Sequence, residues 1–483
     1  MQRKFLTNLG FLLFLNLLIK PFWIFGIDRT VQNVVGAEDF GFYFTILNFS
    51  FLFNILLDFG ITNFNNRNIA QNAHLLNKHF SGILAMKFML AVVYFVVTFS
   101  IGLIWGFRGT GLWMLALLGL NQFLISFILY LRSNVSALLF FKTDSVLSVL
   151  DRILMIIFCS ILLWGNIISQ PMRIEWFVYA QTLSYVLTAL VALLVVIRKA
   201  SFTRLNWNVP FFVMIIKQSL PFAVLVLLMT FYNRFDSVLL QKLIPGEEGK
   251  IQVGVYAHGY RLLDAANNIA YLVSVLLLPL FARQLKSGMK VENLARLSFT
   301  LLFVLSVIVS AGSWFYSYPI MDLLYDHYIS NSATVFGVLM GCFIGYSTTY
   351  VFGTLLTANG SLKYLNLVAA GGMLLNVGLN LILIPWYGAL GAAWASLVTQ
   401  LLMAASQVVL AVILFRFRFN PRYLATLLAF VAGVILISRI TSGLQMHWIK
   451  SFSLMLGVSF ILAMFLGLFN IRHFFRLVTS RQD

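Results

Sequence analysis

Charged residues are scarce in this chain. Asp, Glu, Lys and Arg make up 10% of its 483 residues, whereas soluble proteins carry about 25%. Long hydrophilic connections are also missing, which excludes an extramembrane catalytic domain. Cysteine is limited to Cys159 and Cys342, and both lie inside apolar stretches. We expect these two to be packing residues, and neither a disulfide nor a metal-binding pair.

Apolar residues make up 61% of the sequence and give a mean hydropathy of +0.92. They form continuous runs, each long enough to cross a bilayer as a helix of about 20 residues. Because the runs do not alternate with polar residues, a β-barrel is excluded. The first run is long and lacks a small-residue cleavage site, so we take it as a span and not as a cleaved signal. We predict an all-α polytopic membrane protein with fourteen spans, numbered in chain order: 8–27, 40–62, 81–106, 112–131, 145–165, 175–197, 217–241, 254–280, 297–316, 332–357, 364–386, 390–415, 423–441 and 449–470.

The net charge of +18 is distributed unevenly. An even number of spans places both termini on one side, and the loops and tails there hold 21 of the 33 Lys and Arg residues, against 7 on the other side. The positive-inside rule therefore predicts that both termini are cytoplasmic. Basic residues spread over membrane-adjacent loops argue against nucleic acid as a partner.

A repeated pattern divides the chain. A Gly-acidic turn and a Gly-x-Tyr helix start follow span 1 at Gly36 and Gly41, and follow span 7 at Gly246 and Gly254. We predict two pseudo-symmetric six-helix lobes plus two C-terminal helices. Transporters built from parallel repeats place their substrate near the bilayer midplane. The predicted divisions are an N-terminal lobe at 1–200, a cytoplasmic linker at 201–216, a C-terminal lobe at 217–418, and the last two spans with a basic tail at 419–483.

Basic residues within the spans point most directly to function: Lys20, Arg152, Arg234 and Arg261. Each would cost about 2.5–3.5 kcal/mol at the centre of a lipid-facing helix. A shared aqueous cavity removes most of that cost and would select an anionic substrate. Arginine suits phosphate in particular, because its planar guanidinium binds two oxygens at once.

Structural roles are the alternative for two of these cations. Lys20 lies deep in span 1, where snorkelling to the interface competes with a cavity-facing position. Asp151 and Arg152 are adjacent in span 5, so we expect their side chains to point apart on the helix. Each would then need a partner on another helix or water, and a structural ion pair between helices is as consistent as a cavity role.

Acidic and polar residues accompany the cations. In span 2, Asp58 lies between Asn54 and Thr62 at helical spacing, which gives a polar stripe. A hydrogen bond between helices is the alternative there. In span 8, His258 and Asp264 lie on one stripe with Arg261 between them. A satisfied buried histidine is the alternative to a proton-linked role for His258.

Spans 11 and 12 carry an oxygen-rich set. Asn376 and Asn380 are four residues apart, and Ser396 follows in span 12. With a backbone carbonyl and the carboxylate of Asp236, these oxygens would form a hard-cation site suited to sodium. Close helix packing through small residues is the alternative.

Several segments together resemble a known family. They are GAEDFGFY at 36–43, LDFGI at 57–61, RFDSV at 234–238, GVY at 254–256 and NLILIPWYG at 380–388. The order of these segments resembles the polysaccharide flippase (Wzx-type) branch of the multidrug/oligosaccharidyl-lipid/polysaccharide (MOP) exporter superfamily. The resemblance covers about residues 5–470.

The resemblance implies a pair of lobes that works by alternating access. It also implies a substrate, an undecaprenyl-pyrophosphate-linked oligosaccharide such as an O-antigen, capsule or exopolysaccharide repeat unit. This substrate would be flipped from the inner to the outer leaflet of the bacterial inner membrane. Membrane lipids, a polysaccharide polymerase and chain-length machinery are the further partners implied, and we expect a monomer.

Individual residues follow from the same resemblance. Lys20 and Arg29 would stand where related lipid II flippases have cavity cations. Span 2 carries Asp58 and no arginine, which departs from those flippases. The sodium site of such relatives matches, in order and spacing, five residues: Asp236, Asn376, Asn380, Ala392 through its carbonyl, and Ser396.

Other functions compete with the polysaccharide flippase. A lipid II flippase and a multidrug or metabolite antiporter belong to the same superfamily, although drug pumps usually favour organic cations. A membrane polymerase or glycosyltransferase would expose acid, base or metal-binding residues on a sizeable loop. We therefore expect a transporter and not an enzyme, without a cofactor, coupled to Na⁺ or H⁺ through Asp236 or Asp264.

Overall fold

The computed structural model describes residues 14–16, 18–19, 21–62, 65, 69, 75–138, 140–165, 172–198, 207–417 and 420–468. Every regular element within these residues is helical. The helices are α1 Arg29–Leu52, α2 Leu75–Trp105, α3 Thr110–Ala137, α4 Phe141–Trp164, α5 Ile174–Ile197, α6 Val209–Leu243, α7 Glu247–Lys286, α8 Glu292–Phe315, α9 Ser317–Leu324, α10 Ile329–Ala358, α11 Leu362–Phe415, α12 Pro421–Ser442 and α13 Trp448–Phe465.

Ten helices in the described part are long and apolar enough to cross a membrane. Local signals fix some of their ends. At the start of α12, the Asn420 side chain accepts a hydrogen bond from the Tyr423 amide at 3.1 Å, and Pro421 takes the first helical position. The chain is a multi-pass α-helical membrane protein, as predicted. Cys159 and Cys342 are buried free thiols.

Helix α11 contains spans 11 and 12, which meet at Gly388. This glycine has φ 55° and ψ −132°, a conformation that glycine adopts readily and other residues do not. The two halves fold back on each other. A β-carbon on Gly372 would lie 2.3 Å from Met403 Sδ, and one on Gly391 would lie 2.4 Å from the Leu383 carbonyl oxygen.

Span 2 is not one continuous helix, and this part of the sequence prediction is wrong. Helix α1 ends at Leu52, a 3₁₀ turn covers Asn54–Leu57, and Phe59 and Gly60 have φ angles of 43° and 78°. The expected stripe along one α-helical face is therefore broken ahead of Asp58. Apolar residues continue through the break, so hydropathy alone does not reveal it.

The chain forms two compact units, Met1–Gly254 and Val255–Asp483. In the first unit, α3 and α4 pack on α5, and α1 packs on α3 and α6. In the second unit, α10 packs on α8 and α11, and α12 packs on α13. Phe430, Val434 and Met455 belong to the apolar core where α8, α12 and α13 meet. The division into lobes at the 201–216 linker stays a prediction.

The repeat seen in the sequence has a counterpart in the backbone. Gly36, inside α1, and Gly246, just before α7, have φ angles of 82° and 84°. Left-handed backbone of this kind favours glycine over other residues. The glycine of each Gly-acidic motif thus has a positive φ angle.

The two Gly-x-Tyr helix starts pack against each other within the first unit. A β-carbon on Gly41 would lie 1.9 Å from the Lys250 carbonyl oxygen, and one on Gly254 would lie 2.1 Å from the Ala37 carbonyl oxygen. Each glycine thus contacts the residue four positions before the other. Lys250 Nζ also pairs with Glu38 Oε1 at 2.8 Å beside this crossing. The reciprocal contact is what a local pseudo-two-fold relation produces.

Candidate functional site

Arg152 lies midway along α4 and is half-buried. Its guanidinium carbon is 5.5 Å from the centroid of the Trp23 ring. Its Nε lies 3.7 Å from Asp151 Oδ2, so the expectation that these neighbours point apart is wrong. The long arginine side chain folds back far enough to meet the shorter acid. Asp28 is a further electrostatic neighbour of the guanidinium.

Rings and an amide from α1 and α5 hold Trp23 in place. Phe177 stacks on Trp23 with 5.9 Å between ring centroids, and it meets the edge of Tyr43 at 5.5 Å. Gln181 Nε2 donates a hydrogen bond to Tyr43 Oη at 3.1 Å. The aromatic surface beneath the Arg152 guanidinium is therefore fixed by packing. A stacked guanidinium keeps its N–H donors in the plane of the group, the geometry that phosphate recognition uses.

The two cations expected on or beside span 1 have different outcomes. Lys20 lies outside the described residues. Arg29 is the first residue of α1 and is half-buried. It follows Asp28, whose buried carboxylate accepts a hydrogen bond from Gln32 Nε2 at 3.0 Å. The preceding segment Phe22–Asp28 is π-helical, a distortion that often marks functional positions in helices.

Arg234 and Asp236 lie on different sides of α6, as their spacing predicts. The Arg234 guanidinium carbon is 5.3 Å from the centroid of the Phe51 ring, and the residue is half-buried. Asp236 is 1% exposed. The neighbouring Ser237 accepts a hydrogen bond from Asn48 Nδ2 at 2.9 Å, which ties α6 to α1 on the buried side.

Aromatic rings surround this end of α6. Phe231 contacts Phe53 at 6.4 Å and Phe235 at 5.5 Å between ring centroids. Phe235 meets Trp105 at 5.9 Å. Lys242 Nζ lies 5.4 Å from the Trp105 ring and donates to the Trp105 carbonyl oxygen at 2.8 Å. Arg234 thus lies in an environment of aromatic carbon, where a guanidinium–anion contact is screened less than in water.

Asp58 is paired with a cation to which the sequence interpretation gave no role. Lys87 Nζ, on α2, lies 2.5 Å from Asp58 Oδ1. The same ammonium donates to the Leu57 carbonyl and to Ser126 Oγ, each at 2.9 Å. Thr62 also donates to Asp58 Oδ1 through its backbone amide and its hydroxyl. The sequence signal for Lys87 was its position inside an apolar span, but its partner could not be read from spacing.

His258 is held by neighbours in the second unit. Its Nδ1 lies 2.9 Å from Ser332 Oγ, and its ring stacks on Tyr325 with 3.9 Å between centroids. His258 is 2% exposed, whereas Arg261 and Asp264 on the same helix are half-buried. These contacts match the structural alternative for His258, and the proton-linked role stays a prediction.

The second unit gathers the span 11 and span 12 residues of the expected cation site. Asn376 and Asn380 lie in the half of α11 before Gly388, Ala392 and Ser396 lie in the half after it, and all four residues are buried. Asn380 Nδ2 donates to the carbonyl and side-chain oxygens of Asn376 at 2.9 and 3.1 Å. Thr399, on the same face as Ser396, has a buried hydroxyl without a hydrogen-bond partner among the described residues. Buried hydroxyl and amide oxygens of this kind are ligands that a hard cation takes.

Among the described residues, no three His, Cys, Asp or Glu side chains come together to hold a metal ion. Asp236 belongs to the first unit. Its pairing with the amide set therefore stays a prediction.

The sequence also matches a protein family. Residues 7–285 match the family described as polysaccharide biosynthesis protein, which is more than half of the chain. The chain belongs to this family. No curated protein matches the sequence significantly.

The fold of this polysaccharide biosynthesis protein is similar to solved transporters. The lipid II flippase MurJ in an inward closed conformation has a TM-score of 0.71 at 11% identity, covering 97% of this chain and 100% of that chain. An inward-facing multidrug resistance MATE family transporter of the MOP superfamily has a TM-score of 0.60 at 14% identity, covering 83% of this chain and 94% of that chain. An outward-facing one has a TM-score of 0.59 at 14% identity, covering 85% and 95%. At these identities the likeness establishes the fold.

The resemblance to the MOP superfamily is thereby confirmed, and so is the all-α transporter fold. The family and the similar structures are transporters or flippases, and not enzymes. The Wzx-type branch, the sugar and the roles of individual residues in this polysaccharide biosynthesis protein stay predictions.

Proposed function

We propose that this protein flips an undecaprenyl-pyrophosphate-linked oligosaccharide from the inner to the outer leaflet by alternating access. The repeat unit of an O-antigen, capsule or exopolysaccharide is the proposed cargo. Family membership ties the chain to polysaccharide synthesis, and the similar lipid II flippase handles a lipid-linked glycan. A lipid II flippase is the second candidate, supported by that structural likeness.

The observation that carries the proposal is the pair of stacked, half-buried guanidinium groups of Arg152 and Arg234 in apolar helices of the first unit. Each would cost about 2.5–3.5 kcal/mol in hydrocarbon. A pyrophosphate headgroup offers several oxygens to each planar guanidinium and offsets that cost when bound. The polyprenyl tail can remain in the bilayer throughout, so the protein moves only the polar end.

Location and partners follow the same proposal. The excess of Lys and Arg on one side of the spans supports cytoplasmic termini in the bacterial inner membrane. A monomer that works beside a polysaccharide polymerase and chain-length machinery is the proposed assembly. We do not propose nucleic acid as a partner.

Neutralising Arg152 or Arg234 is expected to lower glycan export about tenfold or more, since each charge-assisted contact is worth about 1.5–3 kcal/mol. Arg152→Gln and Arg234→Gln are compared by complementation of a host that lacks its own flippase. Surface glycan and the lipid-linked precursor left inside are both measured, at equal amounts of protein in the membrane.

Arg296→Gln is the matched control, because Arg296 pairs with Glu292 one turn away at 3.0 Å and stacks on Tyr423 at 5.3 Å. Its loss is expected to leave export unchanged. Wild-type export by both test variants would contradict the headgroup assignment.

We also propose that a cation, Na⁺ or alternatively H⁺, drives the cycle. Asn376, Asn380 and Ser396 supply oxygens, the Ala392 carbonyl adds one, and Asp236 supplies the negative charge. Asp236→Asn is expected to lower transport and to abolish its dependence on Na⁺, because a neutral amide holds a monovalent cation less well.

The dependence on Na⁺ is measured as export rate in inverted vesicles with NaCl or choline chloride. The exposed Asp322 offers a control, since Asp322→Asn removes a carboxylate of the second unit that lies on the surface. Na⁺ dependence that survives Asp236→Asn would eliminate the site. Activity that follows pH and ignores Na⁺ would assign coupling to protons.

A further inference from the structure

The interruption of span 2 after α1 frees backbone carbonyls inside an apolar segment. Beyond Leu52 the chain leaves the α-helical path, and unpaired backbone groups are costly at membrane depth. Two side chains of α2 supply partners. Tyr94 Oη donates to the Ser50 carbonyl at 3.0 Å, and Lys87 Nζ donates to the Leu57 carbonyl at 2.9 Å. The break is therefore stabilised by a neighbouring helix.

The surroundings of Lys87 Nζ are those of a cation site. The side chain is 1% exposed, and its nitrogen contacts the Leu57 carbonyl, an Asp58 carboxylate oxygen and the Ser126 hydroxyl. The three distances are 2.9, 2.5 and 2.9 Å. Carbonyl, carboxylate and hydroxyl oxygens are the ligands that hard metal cations take in proteins.

The hydrogen bonds suit an ammonium at Lys87. Ser126 Oγ lies 3.1 Å from the Leu57 carbonyl oxygen and can donate its hydrogen to it. The Leu57 carbonyl only accepts, and Asp58 Oδ1 also accepts from the Thr62 amide. An ammonium has three hydrogens, one for each of the three contacts of Lys87 Nζ.

We propose that Lys87 is a tethered cation. Its ammonium fills a site whose oxygen ligands would otherwise take an alkali-metal ion such as Na⁺. It thereby positions the segment at Asn54–Leu57 and Asp58 that follows α1. Because the charge is covalently attached, the break stays assembled whatever the ion gradient. An exchangeable coupling ion must then bind elsewhere in the protein.

The test empties the site and offers a free cation. Lys87→Ala, made in an Asp236→Asn background to remove the proposed sodium site, is expected to lose thermal stability. NaCl or methylammonium chloride should restore the melting temperature, and choline chloride at equal ionic strength should not, because choline is too large. Binding to the folded state alone raises the melting temperature with ligand concentration. The parent background is expected to melt at the same temperature in all three salts.

Lys87→Met is the matched control, since methionine fills the space without charge and leaves no room for an ion. It should be destabilised but indifferent to the choice of salt. If Lys87→Ala responds equally to NaCl, methylammonium chloride and choline chloride, the proposal is overturned.

If the Lys87→Ala protein does not accumulate in the membrane, the variant that carries both Lys87→Ala and Asp58→Asn tests the proposal instead. Recovery of protein in the membrane would show that an uncompensated carboxylate caused the loss, as proposed. Continued absence of the protein would reject the cation site.

Discussion

Replacing Lys87 by methionine is expected to cost about 3–4 kcal/mol of unfolding free energy, the lower part of the range seen when one partner of a buried ion pair is removed, because Asp58 is only half-buried. The cost arises because Asp58 keeps its charge while losing the ammonium at 2.5 Å. Asp58→Asn alone should be similarly damaging, since it leaves a buried ammonium. Removing both charges should cost much less than the sum of the two single changes.

A double-mutant cycle measures this coupling. The four proteins, carrying neither, one or both of Lys87→Met and Asp58→Asn, are unfolded in the same detergent and compared. Ser126→Ala is the reference variant against which the ion-pair effects are compared, because it removes a neutral hydrogen-bond partner worth about 1 kcal/mol. Additive single effects would show that the two side chains do not act as a pair.

Enlarging Gly41 is expected to be the second most damaging change. A β-carbon there would lie 1.9 Å from the Lys250 carbonyl oxygen and 2.8 Å from the Gly254 amide nitrogen. Both are backbone atoms, so no side chain can rotate away and the helices must separate. Gly41→Ala should cost about 3 kcal/mol, at the upper end of overpacking effects, and Gly41→Val more.

Glycines with open space provide the control for Gly41. Gly371 and Gly378 lie in α11 with nothing within 4 Å of a built β-carbon. Alanine at either position is expected to be neutral or to stabilise by up to about 1 kcal/mol, through helix propensity. Melting temperature and membrane abundance are compared for the three alanine variants. Equal behaviour of Gly41→Ala and Gly378→Ala would show that the crossing is not tightly packed.

The prediction of span 2 as one continuous helix was wrong for a physical reason. The break in span 2 carries no proline, and Phe53, Ile55 and Leu57 continue the apolar run through it. Hydropathy measures the preference of side chains for lipid over water, and it carries no information about whether the backbone is helical. At the break, Lys87, which follows Asp58 by 29 residues, donates a hydrogen bond to the Leu57 carbonyl, and that contact belongs to tertiary packing.

The side-chain geometry of Asp151 and Arg152 shows a similar limit. Helical spacing describes where Cβ atoms point, but the long arginine can fold back to its neighbour when a ring such as Trp23 supports it. The opposite outcome holds for Arg234 and Asp236. There the expected divergence is realised, because residues two apart on a helix do not share a face: Asp236 is buried, whereas Arg234 is half-buried against the Phe51 ring.

The sequence by itself determined that this protein is a multi-pass helical membrane protein of a polysaccharide biosynthesis family, and where most of the described spans begin and end. These properties depend on hydropathy and on residues close together in the chain. Only the tertiary structure decided that span 2 is interrupted after Leu52, that Lys87 pairs with Asp58, and that Gly41 meets the Lys250 carbonyl. Such partners are set by which helix faces pack together, and that packing joins residues separated by 29 to more than 200 positions.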